Sequence, residues 1–304
     1  MSHNILVIGS TNTDMVIKTD RFPQPGETVL GGRFLLNPGG KGANQAVAAA
    51  RLGGQVTFVT KLGDDLFGQQ ARQHFQQEGI GADYLLADPD NPSGVALITV
   101  DAAGENSIVV APGANGALSP EDLARAAPAF AACALVLLQL EVPLATVAAA
   151  TALATAQGKR VILNPAPAAQ LPDALLRQLF LLTPNRTEAE VLTGIPITDE
   201  TSMQAAARFL RAKGVANVVI TLGGEGAYLC TETEARLLPT ARVRAVDTTA
   251  AGDVFNGALA VAVAGNMPLE AAVEFANKAA AISVTRMGAQ ASAPYRQELP
   301  GIDG

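Results

Sequence analysis

From residue 120 onward, short apolar runs alternate with longer segments of helical spacing, and this alternation restricts the possible folds more than any other feature of the chain. The runs at 135–140, 160–164, 179–183 and 218–222 have the length of strands, and helical segments at 120–130, 144–157, 187–192 and 202–213 separate them. Strands joined through a helix pair in parallel, because only a long crossover returns the chain to the same end of the sheet. A parallel sheet is covered on both faces, so its strands read as unbroken apolar runs, as these do. The expected fold class is α/β, with a mostly parallel sheet flanked by helices.

The N-terminal part joins the same layer. A buried strand is expected at 4–8, a helix from Gly42 to Leu52 stopped by Gly53-Gly54, and a strand at 56–62. Phe67, Ala71 and Phe75 recur every four residues and mark an amphipathic helix that ends at Gly79. Beyond 218–222, a strand–turn–strand over 221–230 and a strand at 243–246 are expected, then helices at 251–264 and 269–285. Two stretches do not fit this layer. Short β-type runs at 15–19, 27–30 and 32–36 are divided by Pro23, Pro25, Gly26 and Gly31, and two more at 94–100 and 107–110 again have no helix between them. They are assigned to a small β lid, residues 14–40 and 93–111. Residues 1–13, 41–92 and 112–304 form the main domain. In open α/β sheets ligands bind beyond the carboxyl ends of the strands, so functional residues are expected just after them.

Aromatic residues make up 4% of the chain and tryptophan is absent, so the core must be built from Ala, Val, Leu and Ile. A net charge of −7 argues against nucleic acid as a partner, which needs a cationic footprint. Phosphate remains possible, because backbone N–H groups hold it without net charge. Cys133 and Cys230 lie in apolar runs with no metal or disulfide spacing, the pattern of a reducing compartment. The first nine residues lack a signal-peptide pattern, and the apolar stretch 131–140 is too short to span a bilayer. A cytoplasmic protein without a membrane partner is expected. His3 and His74 have no partners at triad or metal spacing and read as surface residues.

Five segments carry candidate chemistry. Asp247-Thr-Thr-Ala-Ala-Gly-Asp253 follows the expected strand and opens a helix. Such a turn offers free N–H groups at the positive end of the helix dipole, and Gly252 lets the backbone come close to a phosphoryl group. Asp253 then either accepts a hydroxyl proton beside that group or caps the helix. Asn37-Pro-Gly-Gly-Lys-Gly-Ala-Asn44 is a second glycine turn before a helix, without the Gly-Lys-Ser/Thr ending of a P-loop. Lys41 and Asn44 suit sugar hydroxyls; a hinge with a solvated lysine is the alternative. Asn12 and Asp14 can bond neighbouring hydroxyls or form an Asx turn. In Asn185-Arg-Thr-Glu188, Glu188 suits Mg²⁺ held through water, while Thr187 and Glu190 read as a capping box. Thr221-Leu-Gly-Gly-Glu-Gly226 is either a nucleotide-facing turn or a plain hairpin.

Together these segments resemble the ribokinase branch of the PfkB sugar-kinase family, from Gly9-Ser10 to Pro294. The most specific motifs are Gly39-Gly-Lys-Gly-Ala-Asn-Gln-Ala46 and Asp247-Thr-Thr-Ala-Ala-Gly-Asp253. Leu163-Asn-Pro-Ala-Pro-Ala168, Thr183-Pro-Asn-Arg-Thr-Glu188 and Ser283-Val-Thr-Arg-Met-Gly-Ala-Gln290 add to the likeness. The resemblance implies a Rossmann-like main domain and a β lid that pairs subunits into a homodimer. It implies phosphorylation of the ribose 5-hydroxyl by ATP with Mg²⁺, activated by K⁺. Asn12, Asp14, Gly40, Lys41, Gly42, Ala43, Asn44 and Glu141 would surround the sugar. Asp253 would be the base, with the backbone of Ala250, Ala251, Gly252 and Asp253 as the anion hole. Asn185, the turn Thr221, Leu222, Gly223, Gly224, Glu225 and Gly226, then Gly252, Asp253 and Asn277, would surround ATP. K⁺ would sit on Asp247, Thr249, Ser283, Arg286, Gly288 and Ser292, with Glu188 near magnesium.

Other readings are weighed against this one. A kinase of the same family acting on deoxyribose, another pentose or a nucleoside is the nearest; a non-catalytic sugar sensor on a kinase fold is the next. A NAD-dependent dehydrogenase is disfavoured, because Gly9-Ser-Thr-Asn-Thr-Asp14 lacks the Gly-x-Gly-x-x-Gly fingerprint.

Overall fold

A computed structural model describes residues 4–299; the sequence-based reading of His3 lies outside the described residues. The chain runs through β1 (Asn4–Ile8), β2 (Asn12–Lys18), β3 (Arg33–Gly39), α1 (Lys41–Arg51), β4 (Gln55–Gly63), α2 (Leu66–Gln77) and β5 (Leu85–Asp88). It continues through β6 (Gly94–Val100), β7 (Asn106–Ala111), α3 (Pro120–Arg125), α4 (Ala127–Ala132), β8 (Leu135–Leu138), α5 (Leu144–Ala156), β9 (Arg160–Leu163) and α6 (Asp173–Leu176). The remainder is β10 (Leu181–Leu182), α7 (Arg186–Thr193), α8 (Glu200–Ala212), β11 (Asn217–Thr221), β12 (Ala227–Cys230), β13 (Ala235–Leu238), α9 (Ala251–Ala264) and α10 (Leu269–Ser283).

Nine strands form one sheet in the order β13-β12-β11-β10-β9-β8-β1-β4-β5, parallel except where β12 and β13 fold back. Side chains of each strand alternate between two cores. Ile5 and Val7 of β1 pack with α1, α9 and α10, whereas Leu6 and Ile8 pack with the α3–α5 and α8 side. From β1 the chain builds outward through β4 and β5, then returns to β8 and builds the other way. The sheet therefore reverses its order between β1 and β8, the crevice where such sheets bind ligands. A four-stranded sheet, β3-β2-β6-β7, stands apart from this layer and accounts for the helix-free stretches.

Several expectations need correction. Residues 27–30 form no strand: Gly26, Gly31 and Gly32 adopt left-handed backbone around them, and Leu30 is 91% exposed. The helix expected over 120–130 breaks at Ala126, because Pro128 at the start of α4 has no N–H to continue it. Residues 243–246 are not a strand; Val243 and Val246 are exposed, and Val246 N–H bonds only to Val284 O. Strands β5 and β13 were not expected. The N-cap of α7 is Asn185, two residues earlier than Thr187, and its capping box closes with Glu188 rather than Glu190. Both cysteines are buried free thiols, as expected. No helix among the described residues is long and apolar enough to cross a membrane.

The packing of α1 against α9 positions the site. Gly257 is where they touch: a Cβ there would lie 2.7 Å from Gln45 O and 2.8 Å from the Ala48 Cβ. In a free helix, Gly→Ala gains about 1 kcal/mol. Here Gly257→Ala is expected to lose about 1–3 kcal/mol, because the helices must separate. Urea unfolding should show a lower midpoint at unchanged slope; an equal or higher midpoint would mean the interface has slack.

Candidate active site

The first cluster forms where β1 and β8 end. Ser10 is buried after β1, and its hydroxyl donates to Glu141 Oε2 at 2.6 Å. The same oxygen accepts from Lys41 N–H at 2.9 Å, which ties the start of α1 to the segment after β8. Gly40 caps α1 at φ 89°, and a Cβ there would lie 2.7 Å from Asn12 N. Only glycine allows this approach. Across the ladder Asn12 pairs with Gly39, and a Cβ on Gly39 would overlap the Asp14 carboxylate at 2.3 Å. Asn12 is no Asx turn but part of β2, and its Oδ1 accepts from Asn115 Nδ2 at 2.8 Å.

The cluster is strongly acidic. Burial, reinforced by Glu141 and Asp253, raises Asp14 to about 6, against the pull of Lys41. Lys41 is half-buried, which works against its charge. The fields of Asp253, Glu141, Glu188 and Asp14 outweigh burial and hold its pKa above the ordinary lysine value. It is a fixed cation, not the solvated lysine of a hinge.

Asp253 lies three residues beyond Ala250, the N-cap of α9, and is 6% exposed. It does not cap the helix. Its Oδ2 accepts from Asn44 Nδ2 at 2.9 Å and its Oδ1 from Gln45 Nε2 at 3.0 Å, both on α1. Burial raises its pKa; Lys41 and the two amides lower it, and the net direction is upward. Such a carboxylate holds a proton more readily than a surface one, which suits a general base. Ala250 has left-handed backbone at φ 58°, a conformation that costs a non-glycine residue about 1–2 kcal/mol. Ala251 N–H donates to Thr248 O at 3.2 Å and Val254 N–H to Ala250 O at 2.9 Å, so the Gly252 and Asp253 N–H groups are the ones at this helix start without an intrahelical acceptor.

On the other side of α9 lies a cleft of about 440 Å³. Thr221, Gly223, Gly224, Gly226, Gly252 and Asn277 line it, as the sequence suggested for a nucleotide. Leu222 and Glu225 do not: Leu222 is buried and Glu225 pairs with Arg186 at 2.8 Å. Asn185 is also absent from the lining and is engaged with Glu188 at 2.8 Å. The turn at 221–226 joins two antiparallel strands, as the hairpin reading expected, and its glycines also wall the cleft. Missed by sequence reasoning were the wall residues Thr240, Arg242, Val243 and Phe255, and the small Ala280 and Ala281 of α10. The exposed apolar run that read as a strand is this wall.

Residues read as ion ligands gather at two places. Asp247 Oδ1 accepts from Thr249 N–H at 2.9 Å, and Oδ2 accepts from Gly288 N–H at 2.9 Å. These bonds overcome the effect of burial and keep its carboxyl below the usual range. Ser283 and Ser292 donate their hydroxyls to Ala280 O and Ala289 O. The Arg286 guanidinium pairs with Glu298, which leaves only its backbone for an ion. One ionised carboxylate in a carbonyl-rich loop fits a large monovalent cation better than a transition metal. Glu188 is mostly buried with its pKa raised by burial, and both its oxygens accept from Asn185. No group of three metal-ligating side chains occurs among the described residues. A single carboxylate fits Mg²⁺ held chiefly by phosphates and water. His74 is half-buried rather than fully exposed, and its Nε2 lies 2.7 Å from Gln290 Oε1.

A family model described as pfkB family carbohydrate kinase matches residues 2–296. The chain is 44% identical to a ribokinase of Haemophilus influenzae over 98% of this chain and 97% of that one. It is 43% identical to a deoxyribokinase of Salmonella typhimurium over 97% of each. Among solved structures, an Arabidopsis thaliana ribokinase complexed with ribose and ATP superposes with a TM-score of 0.90 at 31% identity, covering 98% of this chain and 97% of that one. The family model covers almost all of the chain, and curated and solved relatives match it along nearly their full length; the chain belongs to the pfkB family of carbohydrate kinases.

Proposed function

We propose that this chain phosphorylates ribose at its 5-hydroxyl with ATP, giving ribose 5-phosphate and ADP, with Asp253 as the general base. The observation that carries the reading is Asp253 itself. It is buried and clamped by Asn44 and Gln45, while its neighbours Ala251 and Gly252 line the cleft. Asn12, Asp14, Lys41, Asn44 and Glu141, with the Gly40–Ala43 backbone, hold the sugar. Asp253 takes the hydroxyl proton as the oxygen attacks the γ-phosphate. The N–H groups at the start of α9 offset charge on the transferring group. Magnesium, when bound near Glu188, neutralises phosphate charge; potassium, when bound at the Asp247 loop, supports the same turn electrostatically.

Residues 14–40 and 93–111 act as a lid that closes over the sugar and joins two subunits of a cytoplasmic homodimer. Asp14 shares its face of the small sheet with Val16, Ala96, Ile98 and Val110 by register, which supports an inner face over the sugar. On the opposite face Ile17, Phe34, Leu36, Leu97 and Val109 are exposed, an apolar surface suited to a second copy. Deoxyribose is the second reading, favoured by the 43%-identical deoxyribokinase.

ADP release measured with ribose, 2-deoxyribose and other pentoses, with and without potassium, tests the proposal. Ribose is expected to show the highest kcat/KM; a higher value for 2-deoxyribose would transfer the assignment. Asp253→Ala should lower kcat by about 10³-fold or more while calorimetry still detects ribose binding, the scale of losing a general base and its positioning. Near-normal turnover in that variant would remove the proposed role.

Asp14 gives a pH signature. Its raised pKa of about 6 means the ionised acceptor is lost as pH falls through that value. The kcat/KM for ribose should therefore drop on the acid side of about pH 6, since this ratio reports free-enzyme groups. Asp14→Asn should raise KM and displace that limb; an unmoved limb would assign it to another group.

A further inference from the structure

The polar groups that hold Asp253 extend past those placed against substrate. Asn44 donates Nδ2 to Asp253, and its Oδ1 accepts from Gln290 Nε2 at 3.1 Å. Gln290, 2% exposed, presents its Oε1 to His74 Nε2 at 2.7 Å. A relay thus runs from α2 through the segment after α10 to the carboxylate.

The relay solves a problem of polarity. A side-chain amide has nearly the same shape when rotated by half a turn, but its donor and acceptor exchange places. A reversed Asn44 would aim its oxygen at the Asp253 carboxylate, two acceptors facing each other in a buried site. Gln290 excludes that state, because its NH₂ group already faces Asn44 Oδ1. Gln290 could itself reverse only against a His74 whose Nε2 accepts, as in the Nδ1–H tautomer. The neutral Nε2–H tautomer and the imidazolium both donate, so the relay works in either charge state.

We infer that His74 and Gln290 are positioning residues for the base, fixing the Asn44 amide so that a donor meets Asp253. The inference rests on the reading of Asp253 as the base. Its consequence is electrostatic. Asp253 faces Lys41, which favours its ionised form, and Glu141, which opposes it; Asp14 and Glu188 lie in the same field. With one cation against these carboxylates, loss of the Asn44 donor leaves the charged form of Asp253 less supported and moves its ionisation to higher pH. The scaffold does not depend on the Gln290 side chain. Arg51 donates to Gln290 O at 2.7 Å and pairs with Glu78 at 2.6 Å. A cavity of about 190 Å³ bordered by His74, Gln290 and Phe67 leaves room for a phenyl ring at position 74.

The test compares His74→Phe, His74→Gln, Gln290→Leu and Asp253→Asn by kcat, KM and the pH profile of kcat, with thermal melting as a folding check. His74→Phe removes the donor and is expected to lower kcat about tenfold, the scale of one hydrogen bond to a charged group, and to move the acid limb up by about one pH unit. His74→Gln keeps an N–H donor and should stay within about twofold of the parent with an unmoved limb. Gln290→Leu should behave as His74→Phe, and carries the test if that variant does not fold. A purely structural role would lower the melting temperature and leave the acid limb in place. If His74→Phe and Gln290→Leu keep the parental kcat and limb while Asp253→Asn is inactive, the relay is refuted and the base stands. If Asp253→Asn turns over normally, the base reading itself fails.

Discussion

A carboxylate cannot be buried in this fold unless donors on a neighbouring element meet it, and the clamp of Asn44 and Gln45 on Asp253 is the interaction on which the site depends. It requires α1 and α9 to lie close together, which small residues at their crossing permit: Gly257 on one helix, Ala48 and Ala49 on the other. The alanine-rich composition reads from this angle as a geometric requirement. Bulkier side chains at the crossing would hold the helices apart and strand the charge.

Each donor in the clamp is oriented by a further buried partner. Gln45 Nε2 also reaches Asn164 Oδ1 at 3.0 Å, and its Oε1 accepts from Gln139 Nε2 at 2.7 Å. Asn164 donates onward to Thr183 O, and Thr183 to Asn256. This network lies across the carboxyl ends of β8, β9 and β10, so the parallel sheet sets the geometry of Asp253 from below. Networks of this kind are rigid when each member is satisfied. Gln139 Oε1 is one buried atom without a partner, at the position where a Cβ on Gly9 would also clash.

The sequence made the layer legible because a parallel sheet buries both faces of its strands, leaving apolar runs at 135–140 and 160–164 that tolerate no other reading. It made Asp253 and Lys41 legible because a glycine turn opening a helix is a local pattern. What stayed hidden was whatever depends on long-range contact. His74 looked like surface on its own helix; only the return of the chain at Gln290, 216 residues later, gives it a partner. Residues 243–246 have the composition of a strand, yet Val243 and Ala245 line a cleft, and composition does not distinguish the two. Asn185 and Glu188 have the same capping-box spacing as Thr187 and Glu190. A one-dimensional pattern fits both, and the helix start decides between them.

The distribution of charge explains why Asp253 stands where it does. The cluster at the ends of β1 and β8 sets Asp14, Glu141, Glu188 and Asp253 against Lys41 alone. In the proposed reaction Asp14 and Glu141 face the sugar, a neutral, hydroxyl-bearing ligand, whereas Glu188 lies toward the magnesium and phosphate side. The cleft beyond α9 is bounded by glycine and the N–H end of a helix, which suits phosphate. In the proposed reaction, with Asp253 as the base, a transferring phosphoryl group crosses from the second field toward the first, and the charge on Asp253 opposes it. Taking a proton from the attacking hydroxyl neutralises that carboxylate as the phosphoryl group arrives. Burial, which raises the proton affinity of Asp253, therefore favours deprotonation of the alcohol and lowers the repulsion against phosphate in the same step.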